Sequence, residues 1–240
     1  MTKQEFHDAV ALRYNFKISN VSGLCFCNQK NSINHSLICK MGGYVHLRHN
    51  SMRDTIAELL TPVCYDVVTE PPLLELDGEV LPKGTITSPE SRLDVSAQSF
   101  WTPMDKVYTD VRIFHPHAPS NVKMELKQMY KHHEDMKKRS YMHRVQQVEK
   151  GSFTPLVFST TGGVGVEADR FFRRLAEKMT QKNHSTHYSD NVSFIRRRLR
   201  FDLLRTTLIS LRGYRGKRAG VDHPKISELD LNLERRARED

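Results

Sequence analysis

The chain has 240 residues, a hydrophobic content of 38% and a formal net charge of +9. That length allows one good-sized domain, or one domain with a small module, and the charge favours a polyanionic partner, nucleic acid before an anionic membrane surface. No apolar run approaches a membrane span and the N-terminus has no signal-peptide pattern, so an intracellular, reducing location is expected, in which the four cysteines are not a disulfide framework.

Residues 2–14 read as a short amphipathic helix with Phe6, Val10 and Leu12 on its apolar side. Cys25, Cys27, His35 and Cys39 follow, spaced as C-x-C, seven residues, H, three residues, C. Three thiolates and one imidazole close a tetrahedral zinc shell, and His35 and Cys39 lie four apart, on one face of a helical turn. Buried free cysteines beside an unrelated histidine are the competing reading. Gly42-Gly43 ends this unit. In the stretch 47–60 a helix is then expected, capped by Asn50 or Ser51, with Met52, Ile56, Leu59 and Leu60 on its apolar face. On that reading Arg48, His49, Asn50 and Arg53 crowd a helix N-terminus, where the backbone N–H groups favour an anion such as phosphate. An ordinary capped helix start explains the same residues. Cys64, alone on an apolar run, reads as core.

Residues 63–69 form a strand stopped by Glu70-Pro71-Pro72, and 77–91, with Gly78, Pro82, Gly84 and Pro89, form an exposed excursion. Two short strands, 92–95 and 107–114, carry Asp94 and Asp110. Side chains repeat every second residue along a strand, so Arg112 faces the same side as Asp110. Two carboxylates on neighbouring strands suit Mg²⁺, which takes one or two of them and completes its shell with water and phosphate oxygens. The bland alternative is two acids at the ends of core strands. Phe100-Trp101-Thr102-Pro103 is a turn with Trp101 as a core anchor, and His115 and His117 read as surface or phosphate-contact histidines in a stiff loop.

Ser120-Asn121 starts a long helix, 122–149, with a partial apolar stripe from Val122 to Val148. Lys131, Glu134, Lys137, Lys138 and Tyr141 stand in its middle, Glu134 and Lys138 spaced as an i,i+4 pair. They read as a solvated face from which one lysine can reach the metal site. A third apolar strand, 153–159, leads into Thr160-Thr161-Gly162-Gly163-Val164-Gly165, which matches neither a Walker loop nor G-x-G-x-x-G. Helices follow over 167–179 and 191–213. From 191 to 218 there are nine basic residues against one acid, Asp202. Arg196, Arg197, Arg198, Arg200 and Arg205 form a face fit to track a nucleic-acid backbone or, alternatively, a solvated flank. Beyond Gly216 the polar, charged composition predicts a disordered tail.

Taken together, the order of these features resembles the restriction-like endonuclease domain of LINE-type non-LTR retrotransposons. The resemblance covers roughly residues 11–165 and rests on Cys25, Cys27, His35 and Cys39 as the zinc knuckle, Arg48-His49-Asn50 as R-H-N, and Arg92-Leu93-Asp94 in place of K-P-D. Asp110 stands as the second acid, and Lys137-Lys138 with Tyr141 near the K-Y segment. It implies an α/β fold with a PD-(D/E)XK core, a central mixed sheet flanked by helices. The implied organisation is a knuckle segment at 1–44, a nuclease core at 45–165, a basic helical extension at 166–215 and a tail at 216–240. It also implies a structural Zn²⁺, a catalytic Mg²⁺ held by Asp94 and Asp110, phosphodiester hydrolysis in DNA, with RNA a further partner, no membrane, and a nuclear or nucleocytoplasmic setting. Glu58 and Glu70 compete as the accessory acid. Arg112 occupies the usual lysine position but stays protonated, which leaves Lys137 or Lys138 for the lysine role. Arg48, His49, Asn50, Arg53, Lys138, Arg196, Arg197 and Arg200 are the expected nucleic-acid contacts. No Tyr-x-Asp-Asp polymerase signature is present, so the chain reads as a fragment or a detached derivative. A catalytically inactive nucleic-acid-binding module on the same fold is the alternative.

Overall fold

The computed structural model describes residues 1–14, 16–18 and 23–213. The tail expected beyond Gly216 lies outside them. The described residues divide into two compact units, one of residues up to 51 with 206–213 and one of residues 52–205. The helices after residue 165 bury their apolar faces in the same hydrophobic core as the sheet.

In the first unit α1 (Lys3–Tyr14) forms where a helix is expected, and of its expected apolar side Val10 and Leu12 are half-buried. Phe6 is exposed and the buried residue is Asp8, whose carboxylate accepts two bonds from the Arg212 guanidinium at 2.7 Å. Burying a carboxylate requires a cation, and Arg212 supplies it, so a polar pair closes this helix down. A short helix, α2 (Ile33–Ile38), is capped by the Ser32 hydroxyl on the His35 amide. Gly42 and Gly43, both at positive φ, then turn the chain into α3 (Tyr44–Leu60).

The second unit holds a four-stranded sheet in the order β1 (Tyr65–Thr69), β2 (Val95–Gln98), β3 (Lys106–Phe114), β4 (Ser152–Ser159). The first two pairings are antiparallel; β3 and β4 run parallel and are joined by the crossover helix α4 (Leu126–Gln147). The strand expected at 92–95 forms instead at Val95–Gln98, so Asp94 directly precedes β2, and its side chain turns to the backbone of β3. Pro155 is tolerated in β4 because that strand is an edge of the sheet. The helix expected from 122 starts at 126 instead: a 3₁₀ turn occupies Pro119–Asn121, and Glu125 with Gln128 makes a capping box.

Alternation along β3 and β4 sends side chains to two faces. On one face Phe114 and Val157 pack with Met129 of α4. On the other, Val107, Val111, Leu156 and Phe158 pack with Phe171, Phe172 and Leu175 of α5 (Val166–Lys182), Met52 and Ile56 of α3, and Ile195, Leu199 and Leu203 of α6 (Tyr188–Arg212). Cys64 belongs to that second core as expected. The aromatic anchor of the 100–103 turn is Phe100, fully buried and stacked on Phe171 at 4.1 Å, with Trp101 packed partly buried against its edge.

Candidate functional site

Register places three carboxylates in one row. Thr69 pairs with Val95, and Val95 with Thr109, so the next row across β1, β2 and β3 is Glu70, Asp94 and Asp110. Two backbone bonds hold it: the Glu70 amide donates to the Asp94 carbonyl at 2.9 Å, and the Asp94 amide to the Thr109 carbonyl at 3.0 Å. Residues directly opposite in antiparallel strands share a face, and this row opens toward α4. The Asp94 carboxylate also accepts the Val111 amide at 2.5 Å, which fixes it beside Asp110.

Asp110 is 6% exposed. A carboxylate in that position needs a compensating cation, and Lys137 of α4 supplies it, Nζ standing 2.6 Å from Oδ2. One helical turn on, Tyr141 lies under the same lysine, 5.6 Å from ring centre to Nζ. Burial pushes the Tyr141 phenol up to about 12, and the negative charges of Asp110 and Asp94 push in the same direction, so the hydroxyl stays a donor near neutrality. Arg53 of α3 pairs with Glu70 and with Asp54, and the charge of Asp94 also acts on it, so it stays firmly protonated despite partial burial. The row thus has Arg53 paired with Glu70 at one end and Lys137, with Tyr141 beside it, paired with Asp110 at the other.

Other expected site residues fall elsewhere. Glu58 is 65% exposed and pairs with Arg198 at 3.0 Å, while Glu70 joins the row: register, which sequence spacing does not reveal, separates the two. Arg112 is exposed on β3; its positive charge, after burial, helps hold the neighbouring His133 imidazole down at about 4. Lys138 turns away to Glu167 at 2.5 Å, and Glu134 accepts the Glu167 amide at 3.1 Å, so the expected Glu134–Lys138 pair does not form. Both contacts serve the start of α5 instead. His115 is buried and bonded to Thr160 at 2.7 Å, against the expectation of a surface histidine. Arg196 pairs with Asp169 at 2.9 Å, whereas Arg197 and Arg200 are exposed.

The anion site expected at an Arg48-to-Arg53 helix start does not exist in that form. Helix α3 begins at Tyr44, so Asn50 and Ser51 lie inside it and cap nothing. The double-glycine turn supplies the start nearly two turns earlier. Arg48 is 3% exposed and donates to the Leu37 carbonyl at 2.7 Å, which braces the end of α2. Burial brings its guanidinium down to about 10. His49 is half-buried and Asn50 exposed.

In the first unit, the ligand atoms of Cys25, Cys27, His35 and Cys39 lie within 4.8 Å of one another. The Cys25 and Cys39 sulfurs are 3.7 Å apart, and Cys27 Sγ is 3.3 Å from His35 Nε2. A tetrahedron with bonds to sulfur of about 2.3 Å has sulfur–sulfur edges of about 3.8 Å, so the donor set and its spacing fit a metal such as zinc. Burial alone would raise the Cys25 thiol, but hydrogen bonds from the Cys27 backbone and the His35 side chain bring it down to about 6, toward the thiolate a metal requires. Cys39 is pushed up to about 11 by burial and by the neighbouring sulfurs. Three adjacent sulfurs cannot all ionise unless a cation shares their charge.

Sequence reasoning missed Arg144. It is fully buried and donates to the carbonyls of Ile86 and Ser88 from one nitrogen and to Leu74 from the other, each at 3.0 Å. It ties the 77–91 excursion to α4. A long arginine on an otherwise charged helix gives no sign of this. No protein-family pattern matches the chain, and no curated protein matches it in sequence.

Proposed function

We propose that the chain is a metal-dependent endonuclease that hydrolyses a phosphodiester bond in DNA, with a PD-(D/E)XK core related to that of LINE-type retrotransposons. The observation that carries this reading is the row Glu70, Asp94, Asp110 with Lys137 seated on the last acid. The order α3, three antiparallel strands, crossover helix α4 and parallel β4 supports it. Carboxylate oxygens are the donors Mg²⁺ takes: on this reading Asp94 and Asp110 would hold the ion, and Glu70, paired with Arg53, would be the accessory acid. When bound, the ion supplies Lewis-acid activation of water and phosphate. Lys137 takes the lysine role from the opposite element, placing a cation where Arg112 cannot act as a base. It positions Asp110 and meets negative charge at the phosphate, while Tyr141 keeps its proton as a hydrogen-bond donor. The Cys25, Cys27, His35, Cys39 cluster would hold a structural Zn²⁺, and a nuclear or nucleocytoplasmic setting follows from DNA as substrate.

Nicking of supercoiled plasmid by the zinc-loaded chain with Mg²⁺ tests the reading, alongside Asp94→Ala and Asp110→Ala. Each substitution is expected to abolish nicking while leaving DNA binding within a few-fold. Salt-sensitive binding with no nicking by the wild type in Mg²⁺ or Mn²⁺ would replace this function with the inactive nucleic-acid-binding module.

A further inference from the structure

On the sheet face opposite α4, a cleft of about 280 Å³ lies between α5, α6 and the turn after β4. Its floor is apolar, made by Phe158, Phe172, Leu199 and Leu203. Its rim is charged: Arg196 and Arg200 stand one helical turn apart on α6, and Asp169 faces them from α5. Asp169 is already shared by Arg196 at 2.9 Å and Arg173 at 2.7 Å, and those hydrogen bonds outweigh burial and hold its carboxyl below the usual range. Arg200 is exposed and has no carboxylate partner among the described residues. The rim is therefore net positive above an apolar slot.

We propose that this cleft receives one unpaired nucleotide of a bound strand, its base on the apolar floor and its phosphate at Arg200 and Arg196. The inference rests on the nucleic-acid reading above but not on catalysis. The volume is small for a drug-sized ligand and suits a single ring system. Bases of any identity gain from an apolar or aromatic platform, and guanidinium groups match phosphate in geometry as well as charge. The acid row opens on the other face of the sheet, so the cleft is a second site that reads an unpaired base and not the place of cleavage.

The test measures fluorescence anisotropy of the full chain, without divalent metal, on two labelled duplexes identical except for one extrahelical nucleotide. The bulged duplex is expected to bind about tenfold tighter. Val164→Trp fills the cleft from its wall and is expected to remove that preference while leaving affinity for the paired duplex within twofold. Arg200→Glu, a surface change that folding tolerates, is expected to weaken both duplexes at least fivefold. Equal affinity of the wild type for the two duplexes overturns the proposal, as does a preference that survives Val164→Trp in protein with a wild-type melting profile, or unchanged binding by Arg200→Glu. Tight binding with no bulge preference removes the cleft and leaves the nuclease reading standing. A preference retained by a chain that never nicks does the reverse.

Discussion

At the scale of single residues, Lys137 and His133 show how one helix face supplies two opposite electrostatic solutions. Lys137 faces a buried carboxylate; His133, four residues earlier, is buried against Phe114 with ring centres 4.7 Å apart and stays neutral. Lys137→Met should leave Asp110 buried without a cation, which costs several kcal/mol in the worst case. The expected outcome is nicking reduced at least a hundredfold and a lower thermal midpoint, both partly restored by Lys137→Arg. Burial, then the charges of Arg112, His132 and Lys137, bring the His133 imidazole to about 4. A histidine is ordinarily near 6.5, so the unfolded chain binds this proton first as pH falls. The stability it contributes is complete above about pH 6.5 and is lost between there and about pH 4, on the order of 2–3 kcal/mol. His133→Phe, which keeps the ring contact, should flatten the melting midpoint against pH across that window. An unchanged slope would assign the acid sensitivity to other groups.

At the scale of elements, two polar devices hold segments that hydrophobic patterning leaves loose. Arg144 anchors the excursion to α4 through three carbonyls, and Glu134 reaches across to the first turn of α5. Gly165 is required there because a Cβ would meet the Glu134 carboxylate. Arg144→Met is expected to raise proteolytic nicking between residues 74 and 90 and to destabilise the protein by about 3 kcal/mol, since it removes three hydrogen bonds made by a buried guanidinium. Mapping limited-proteolysis fragments checks this. Helix α1 depends on Asp8 and Arg212. The Arg212 hydrogen bonds, against burial, hold the Asp8 carboxyl below its ordinary value. Its stabilisation is thus present above about pH 4 and lost as pH falls through the lower folded value, and Arg212→Gln should abolish that acid-side dependence in hydrogen exchange of residues 3–14.

At the scale of the whole molecule, the two compact units have different sources of stability. The 52–205 unit has an extended apolar core running from Met52 to Leu203. The other unit contains the Cys3His cluster and the Asp8–Arg212 ion pair, so its folding should respond to metal. Chelation, or Cys25→Ser, is expected to release close to one equivalent of zinc and to increase amide exchange across residues 23–44, while the sheet retains its protection. The net charge of +9 sets a further expectation: DNA affinity should fall steeply with salt, with a log–log slope shallower by about one for each phosphate-contacting arginine removed.

Sequence alone determined what depends on local pattern. It showed the sheet strands around 65–69, 107–114 and 153–159, the two C-terminal helices, the Cys3His spacing and the acids Asp94 and Asp110. Hydrophobic period and ligand spacing are short-range signals, legible within about a dozen residues. The tertiary structure decided what depends on register and burial. It put Glu70, and not Glu58, in the row with Asp94 and Asp110, seated Lys137 on Asp110, withdrew Arg48 from the surface and gave Lys138 to Glu167. It also moved the start of α3 to Tyr44, which removed the expected anion site. Each of these turns on which side chain stands opposite which across strands or helices far apart in the chain. Long charged residues carry no mark of whether they end in solvent or in a buried pair, because their charge is satisfied equally well by water or by a partner that only folding supplies.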